Sequence, residues 1–365
     1  MAEQRIALVL ATSTGGVGRH VGAVARGLVS RGQQVAVLGP ASTNSKFGFD
    51  ADAGVRFRPV EISSGFRPIV ALRAALRLRR YVRAADIVHA HGLRAAIVST
   101  VALGRFRAGS ARRRPALVVT LHNAALGSGL RTRLLTLMMR RLGSVADAVL
   151  VVSPDLVESL RPAVVGRALV AAAVKQPTCD SASTRAALGI PDGERFVLAV
   201  GRLHRQKGFD VLIEAVTALR GREITIAIAG EGPERSNLER QIETTGVHVR
   251  LLGDRDDVAN LLAAADVVVM PSRWEGWPLA AAEVLAAGKP FVATTVGGLP
   301  ELVGDAAMLV ESGDAEALAV AIERVVDDPA LADDLAARAL ARAAGLPRDA
   351  DVVEQLSAYY ERVLR

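Results

Sequence analysis

Cysteine is all but missing. Cys179 stands alone in 365 residues, so no internal disulfide can form, and no CxxC spacing or Cys/His cluster is visible along the chain to hold zinc. A reducing compartment is the expected setting. Aromatic residues supply only 4% of the chain, and they do not interleave with its basic stretches as they would in a binder of single-stranded nucleic acid. Long hydrophobic runs are absent too: no window approaches roughly 18 uncharged apolar residues, the length a membrane span needs. The first apolar stretch, Ile6 to Ala11, is shorter than a signal-peptide core and runs straight into a glycine turn. These absences predict a cytoplasmic protein without a cleaved signal.

Acidic residues are scarce in the first half only. Residues 1–175 carry 26 Lys+Arg against 8 Asp+Glu, a charge of +18, while the remainder carries 19 against 30, or −11. The molecule is electrically two-faced. A basic half concentrates phosphate-bearing partners and loses that pull with salt. Codon bias is the competing explanation, since Arg outnumbers Lys 41 to 4, but it leaves the acidic second half unexplained. The basic residues cluster at Arg73, Arg77, Arg79, Arg80 and Arg83, at Arg112 to Arg114, and around Arg131 to Arg141.

What is present is a repeated alternation of apolar runs and helical periods. Ile6–Leu10, Val35–Leu38, Val55–Val60, Ile87–Ala90, Leu117–Leu121 and Ala148–Val152 predict buried parallel strands, with helices over Val17–Ser30, Ile69–Arg83 and Leu130–Leu142 between them. The second half repeats the plan with Phe196–Val200, Ile224–Ala229, Val249–Leu252, Val267–Met270 and Phe291–Thr294. Two doubly wound α/β domains follow. The stretch Lys175 to Arg195, rich in Pro, Ser, Asp and Gly, reads as the linker and puts the domains at 1–176 and 177–349. In such sheets ligands bind beyond the carboxyl ends of the strands, and the polar residues gather there. If the two edges face one another, they enclose a central cleft.

The segment Pro271-Ser272-Arg273-Trp274-Glu275-Gly276-Trp277-Pro278-Leu279, followed by Ala282-Glu283-Val284-Leu285-Ala286-Ala287-Gly288-Lys289-Pro290, holds two glutamates between a strand and a helix. Together with Gly201-Arg202-Leu203-His204-Arg205-Gln206-Lys207-Gly208 and Gly15-Gly16-Val17-Gly18, it resembles the glycosyltransferase family 4 enzymes of the GT-B fold, over nearly the whole chain. The glycine order GGxG is wrong for the GxGxxG dinucleotide fingerprint. The resemblance implies two Rossmann-like domains facing a cleft, a final helix (350–365) packed back on the first domain, and retaining transfer of a sugar from a nucleoside diphosphate to an acceptor hydroxyl.

In that reading Arg202 and Lys207 stabilise the departing diphosphate. Glu275 accepts hydrogen bonds from sugar hydroxyls and His122 stands near the reacting end. Gly16, Gly253, Asp254, Gly276, Trp277, Leu279 and Ala280 surround the donor, with the N–H groups of Leu279 and Ala280 offered to the diphosphate and Glu283 to the ribose. Gly15, His20 and His91 lie toward the acceptor or sugar. No cofactor and no essential metal are expected. The acidic pairs Asp50/Asp52, Asp254/Asp256 and Asp349/Asp351 have metal-holding spacing, but Asp254 to Asp257 reads better as a helix start whose carboxylates cap free N–H groups.

The acceptor is open. The segment Leu130 to Leu142, with four arginines among apolar residues, fits an interfacial helix on an anionic membrane, hence a lipid-linked or phosphorylated acceptor and a peripheral place on the inner face of the cell membrane. It fits equally a buried helix with arginines at its edges. A nucleotide-sugar epimerase or phosphorylase of the same fold is an alternative function. A basic nucleic-acid-binding protein is another, although no nucleic-acid module is visible and no nucleic acid is expected as a partner.

Overall fold

The computed structural model describes residues 3–13, 15–63, 68–104, 114–122, 130–158, 165–172 and 174–365, and the fold is described for these. The first sheet holds β1 (Arg5–Leu10), β2 (Gln34–Gly39), β3 (Val55–Pro59), β4 (Ile87–His91), β5 (Ala116–Leu121), β6 (Ala148–Val151) and β7 (Val165–Arg167). All pair in parallel in the order β3-β2-β1-β4-β5-β6-β7. The second holds β8 (Arg195–Val200), β9 (Ile224–Ala229), β10 (Val249–Gly253), β11 (Val267–Met270), β12 (Phe291–Thr294) and β13 (Met308–Val310), parallel in the order β10-β9-β8-β11-β12-β13.

Parallel strands linked by helices are covered on both faces, which is why central strands such as β5, β6, β11 and β12 are buried at every position, whereas the edge strand β3 alternates, with Arg56 and Arg58 exposed. The two cores of the second sheet divide β8 accordingly: Val197 and Ala199 pack on one side, Phe196 and Leu198 on the other. Each of the larger side chains, Val197, Phe196 and Leu198, contributes roughly 1.5–3 kcal/mol by leaving water. The two strands that the sequence pattern does not reveal, β7 and β13, are three-residue edge strands too short to show a period. The helix Leu93–Ala102 was also not legible, because it is apolar on nearly every face.

The chain divides into two compact units, Met1–Ala171 with Pro347–Arg365 and Ala172–Leu346. The crossings thus fall slightly before positions 176/177 and 349/350 read from the sequence. The final helix, Asp349–Leu364, belongs to the first unit. Its Gln355 side chain accepts from the Leu169 N–H at 2.9 Å, and a Cβ on Gly27 would collide with Val353. Tyr360 is fully buried, with its hydroxyl 2.7 Å from Nδ1 of His89 on β4. Among the described residues no helix is long and apolar enough to cross a membrane.

Tyr360→Phe keeps the ring and deletes the hydroxyl, leaving the buried His89 Nδ1 without a partner. The expected loss is about 1–3 kcal/mol of stability, read from urea midpoints. An unchanged midpoint would show that the last helix is held by its apolar contacts alone.

Candidate active site

Strand order reverses between β8 and β11, the kind of switch point at which ligands bind outside the carboxyl ends of parallel strands. After β8 come Gly201, Arg202 and a single 3-10 turn, Arg205–Lys207. After β11 comes the loop from Pro271 to Pro278, ending at the helix Leu279–Ala286. The two loops are sewn together. Arg273 N–H donates to the Gln206 carbonyl at 2.7 Å, and Gln206 Nε2 returns to the Trp274 carbonyl at 2.8 Å. The Arg273 guanidinium forks onto Asp210 at 2.5 and 2.7 Å. Gly208 has φ +66°, and a Cβ there would run into the Pro271 carbonyl oxygen, so only glycine lets the loops approach this closely.

Inside this frame Glu275 is buried, 4% exposed. Its Oε1 receives the Lys207 ammonium and the Ser272 hydroxyl, each at 2.6 Å. No described residue bonds its Oε2. The backbone of Glu275 is pinned as well, since its carbonyl accepts from the Gly298 N–H at 2.9 Å, and the left-handed Gly297 (φ +53°) leaves no room for a side chain against that carbonyl. The sequence reading gave Lys207 to the diphosphate and Glu275 to the sugar separately. The structure instead joins them in one ion pair and adds Ser272 from the loop after β11, Gln206 from the 3-10 turn and Asp210 from the first turn of the helix Phe209–Val216, none of which carries a signature in the sequence.

Arg202 is exposed and makes no ion pair among the described residues. The helix Leu279–Ala286 starts behind Pro278 without a side-chain cap, and its first hydrogen-bonded N–H is that of Ala281, so the N–H groups of Leu279 and Ala280 remain available. Gly276 and the Leu279 side chain are buried, whereas Trp277, Ala280 and Glu283 are half-buried. At the neighbouring strand ends, the Gly230 N–H donates to the Gly253 carbonyl at 2.7 Å, and Asp254 is exposed. The expected carboxylate capping does not occur at the next helix. Asp257 sits at its N-cap position, but its carboxylate holds the Arg255 guanidinium at 2.8 and 2.6 Å because the charged fork outcompetes a neutral N–H.

A second constellation occupies the corresponding place in the first unit, where order reverses between β1 and β4. His20 follows β1 on the helix Gly16–Ser30, His91 ends β4, and His122 follows β5. His89 and His91 alternate along β4 and so share a face, with ring centroids 4.1 Å apart. His89 is committed to Tyr360 and, through Nε2, to the Thr120 hydroxyl at 2.7 Å. Burial lowers the pKa of His20 from its ordinary 6.5 to about 4. Burial, with His20 nearby, takes His89 to about 3. Burial, then His89, His122 and His20, hold His91 well below the usual range, and burial, then His20 and His89, do the same for His122. Of the glycine turn, Gly15 opens onto empty space and Gly16 begins the helix, while Gly18 is the tight one, closed by the Phe47 ring.

Two helices of the first unit present basic faces. On Pro68–Val82, Ile69, Leu72 and Leu76 are 68%, 55% and 59% exposed, beside exposed Arg73, Arg77, Arg79 and Arg80. On Leu130–Val145, Arg133, Leu137, Arg140 and Arg141 are exposed on one side, with Met139 and Leu142 buried on the other. The side chain of Arg131 and the whole of Arg112, Arg113, Thr14 and Asn123 lie outside the described residues.

The family model "Glycosyltransferase Family 4" matches residues 14–170, and "Glycosyl transferases group 1" matches 180–342. Over 192 residues the chain is 34% identical to a D-inositol 3-phosphate glycosyltransferase of Arthrobacter sp., covering 49% of this chain and 46% of that protein. Over 188 residues it is 35% identical to the 2-deoxystreptamine glucosyltransferase of Streptomyces kanamyceticus, covering 48% of each. The chain thus spans about half the length of the curated relatives it matches. Among solved structures, the sucrose-phosphate synthase of Thermosynechococcus elongatus aligns over 99% of both chains with a TM-score of 0.82 at 22% identity. Anabaena Alr3699/HepE in complex with UDP-glucose aligns over 99% of this chain and 100% of its own with a TM-score of 0.82 at 20% identity. These neighbours share the GT-B fold.

Neutral, buried imidazoles make a prediction about acid. Below pH 6.5 the unfolded chain takes up protons that folded His20 refuses until about pH 4. Stability therefore falls as pH falls through that window, by about 1.4 kcal/mol per pH unit for each such histidine. Urea midpoints at pH 7 and pH 5 measure it, and His20→Gln should lose less on acidification. Equal losses in the two proteins would show that His20 titrates normally.

Proposed function

The chain belongs to the glycosyltransferases of the family 4 type, and we propose that it moves a sugar from a nucleoside diphosphate to an acceptor hydroxyl with retention of configuration. The observation that carries this reading is the grouping, at one switch point, of an exposed Arg202, a Lys207 locked by a buried carboxylate, and a helix N-terminus with unused N–H groups. These are three kinds of positive potential aimed where a diphosphate would sit. Negative charge grows on the leaving diphosphate as the glycosidic bond breaks, and donors already fixed in place stabilise it without reorganising. Arg202 offers a planar fork, Lys207 a compact ammonium, and the helix its dipole.

Glu275 acts twice in this scheme. Through Oε1 it aims Lys207, and through Oε2 it accepts a sugar hydroxyl. Glu283 receives the ribose, and Gly253 and Asp254 border the base. His122 stands toward the reacting sugar, with Gly15, His20 and His91 on the acceptor side. No side chain supplies a nucleophile. The leaving phosphate takes the acceptor proton on the face from which it departs, so that the new bond forms where the old one broke. No metal takes part in this step. The complex of the Anabaena neighbour with UDP-glucose supports the donor class.

The acceptor in this reading carries a phosphate or a lipid. The relative named for D-inositol 3-phosphate supports it, as does the basic first half. The row Ile69, Leu72 and Leu76 set among arginines on Pro68–Val82 suits the surface of an anionic membrane, and on the helix singled out in the sequence Leu137 is the exposed large apolar residue among the described side chains.

Arg202→Ala should lower turnover with UDP-glucose by about 100-fold or more at unchanged stability, as for removal of one preorganised donor. Lys207→Ala should lower it similarly and also destabilise the unit by about 3–5 kcal/mol, because Glu275 is left buried without its cation. Near wild-type turnover in Arg202→Ala would remove its role. Vesicles containing anionic lipid should float the protein at low salt and release it at high salt, and Leu72→Ser/Leu76→Ser should weaken flotation. Absence of flotation at low salt would dismiss the membrane and leave a soluble phosphorylated acceptor.

A further inference from the structure

We propose that His20, His91 and His122 form a binding site for one divalent transition-metal ion of the zinc class, with three imidazole ligands and an open fourth position. Nothing in the sequence announces it, because the three residues are scattered through the first third of the chain with no metal-binding spacing. The fold collects them at one switch point, from the start of a helix and the carboxyl ends of two adjacent strands.

The rings of His91 and His122 lie nearly parallel, with centroids 5.5 Å apart and an interplanar angle of 21°, and the nitrogens of all three histidines converge. Each offers one nitrogen, and the three nitrogens lie within 4.8 Å of one another. His91 Nδ1 and His122 Nε2 are 3.2 Å apart. Two imidazole ligands bound tetrahedrally at about 2.0–2.1 Å from zinc are separated by about 3.3 Å, so this pair already has the edge of the coordination polyhedron. His20 meets both other rings edge-on, at centroid distances of 5.6 and 5.5 Å and interplanar angles of 68° and 67°.

The chemistry of the donors selects the ion. Neutral imidazole suits zinc, cobalt, nickel and copper, and the cluster contains no carboxylate of the kind magnesium or calcium requires. His91 Nε2 is buried with no hydrogen-bond partner among the described residues, in a residue only 2% exposed, while its Nδ1 shares with His122 Nε2 a hydrogen bond that a bound ion would replace. His89 is excluded as a ligand by its bonds to Tyr360 and Thr120. It instead backs the His91 ring and restricts its rotation, as the supporting shell of a metal site does. His122 is the partly exposed member and provides the way in. Three nitrogens leave the fourth position to water or to an oxyanion.

The inference does not rest on the transferase reading. It concerns the first unit alone and leaves the diphosphate to Arg202 and Lys207. Untagged protein, stripped with chelator and titrated with Co²⁺, should develop the intense visible absorption of a tetrahedral cobalt site at one ion per chain, and Zn²⁺ should bleach it. His91→Ala and His122→Gln should each abolish the band, whereas His248→Ala, an exposed histidine of the other unit, should retain it. Zn²⁺ should also raise the melting temperature of the wild type and not that of His122→Gln. No tetrahedral band in the wild type would overturn the proposal, as would a band that survives His122→Gln in a variant with native circular dichroism. Should His91→Ala fail to fold, the wild-type stoichiometry and His122→Gln still decide the question.

Discussion

A carboxylate carried out of water costs several kcal/mol unless a cation and further donors meet it, and much of the C-terminal unit's functional edge follows from meeting Glu275. Lys207 and Ser272 supply the donors, and the backbone around them is closed by contacts that tolerate glycine alone at Gly208 and Gly297. The pair is therefore a structural clamp as well as a chemical tool. It fixes the short turn after β8 to the loop after β11, and that junction sets where the helix Leu279–Ala286 begins. A single buried charge thus orders the two loops that frame the switch point. Its cation is held in advance at a fixed place, which is what electrostatic preorganisation requires.

The two units repeat one solution with different chemistry. In each, a parallel sheet reverses its strand order, and polar side chains from non-adjacent segments meet beyond the carboxyl ends at the reversal. The second unit fills that place with cations and free N–H groups, the grip suited to a diphosphate. The first fills it with imidazoles, which offer lone pairs and are kept neutral by burial. The imidazole cluster is supported from behind by the last helix, whose Tyr360 reaches His89 from near the end of the chain. This gives the return of the chain to the first unit a consequence for the site, since the segment fixes the ring that backs His91.

Much of this was legible in the residues. Eleven strands are legible, most of them as apolar runs because both faces of a parallel sheet are covered, whereas β7 and β13 lie at edges and last three residues each, too short to show a pattern. Arg202, Lys207, Glu275 and Glu283 stand out because glycines, prolines and a strand-to-helix junction frame them. Ser272, Gln206 and Asp210 did not, since their importance lies in which loop faces them and not in their neighbours along the chain. The reading of Asp257 as a cap went astray for the same reason: proximity to Arg255 decided what its carboxylate would bind.

Local pattern, then, determined the fold class and the two-unit plan, because hydrophobic period and turn chemistry act over a few residues and are written in consecutive positions, whereas the residues proposed for a diphosphate grip came from the family resemblance of their motifs. Tertiary structure alone decided that Lys207 and Glu275 are one ion pair, that Tyr360 holds His89, and that three histidines with no common motif meet. Such contacts join residues tens to hundreds of positions apart. They arise from how strands are ordered and where loops close, which no stretch of sequence records by itself.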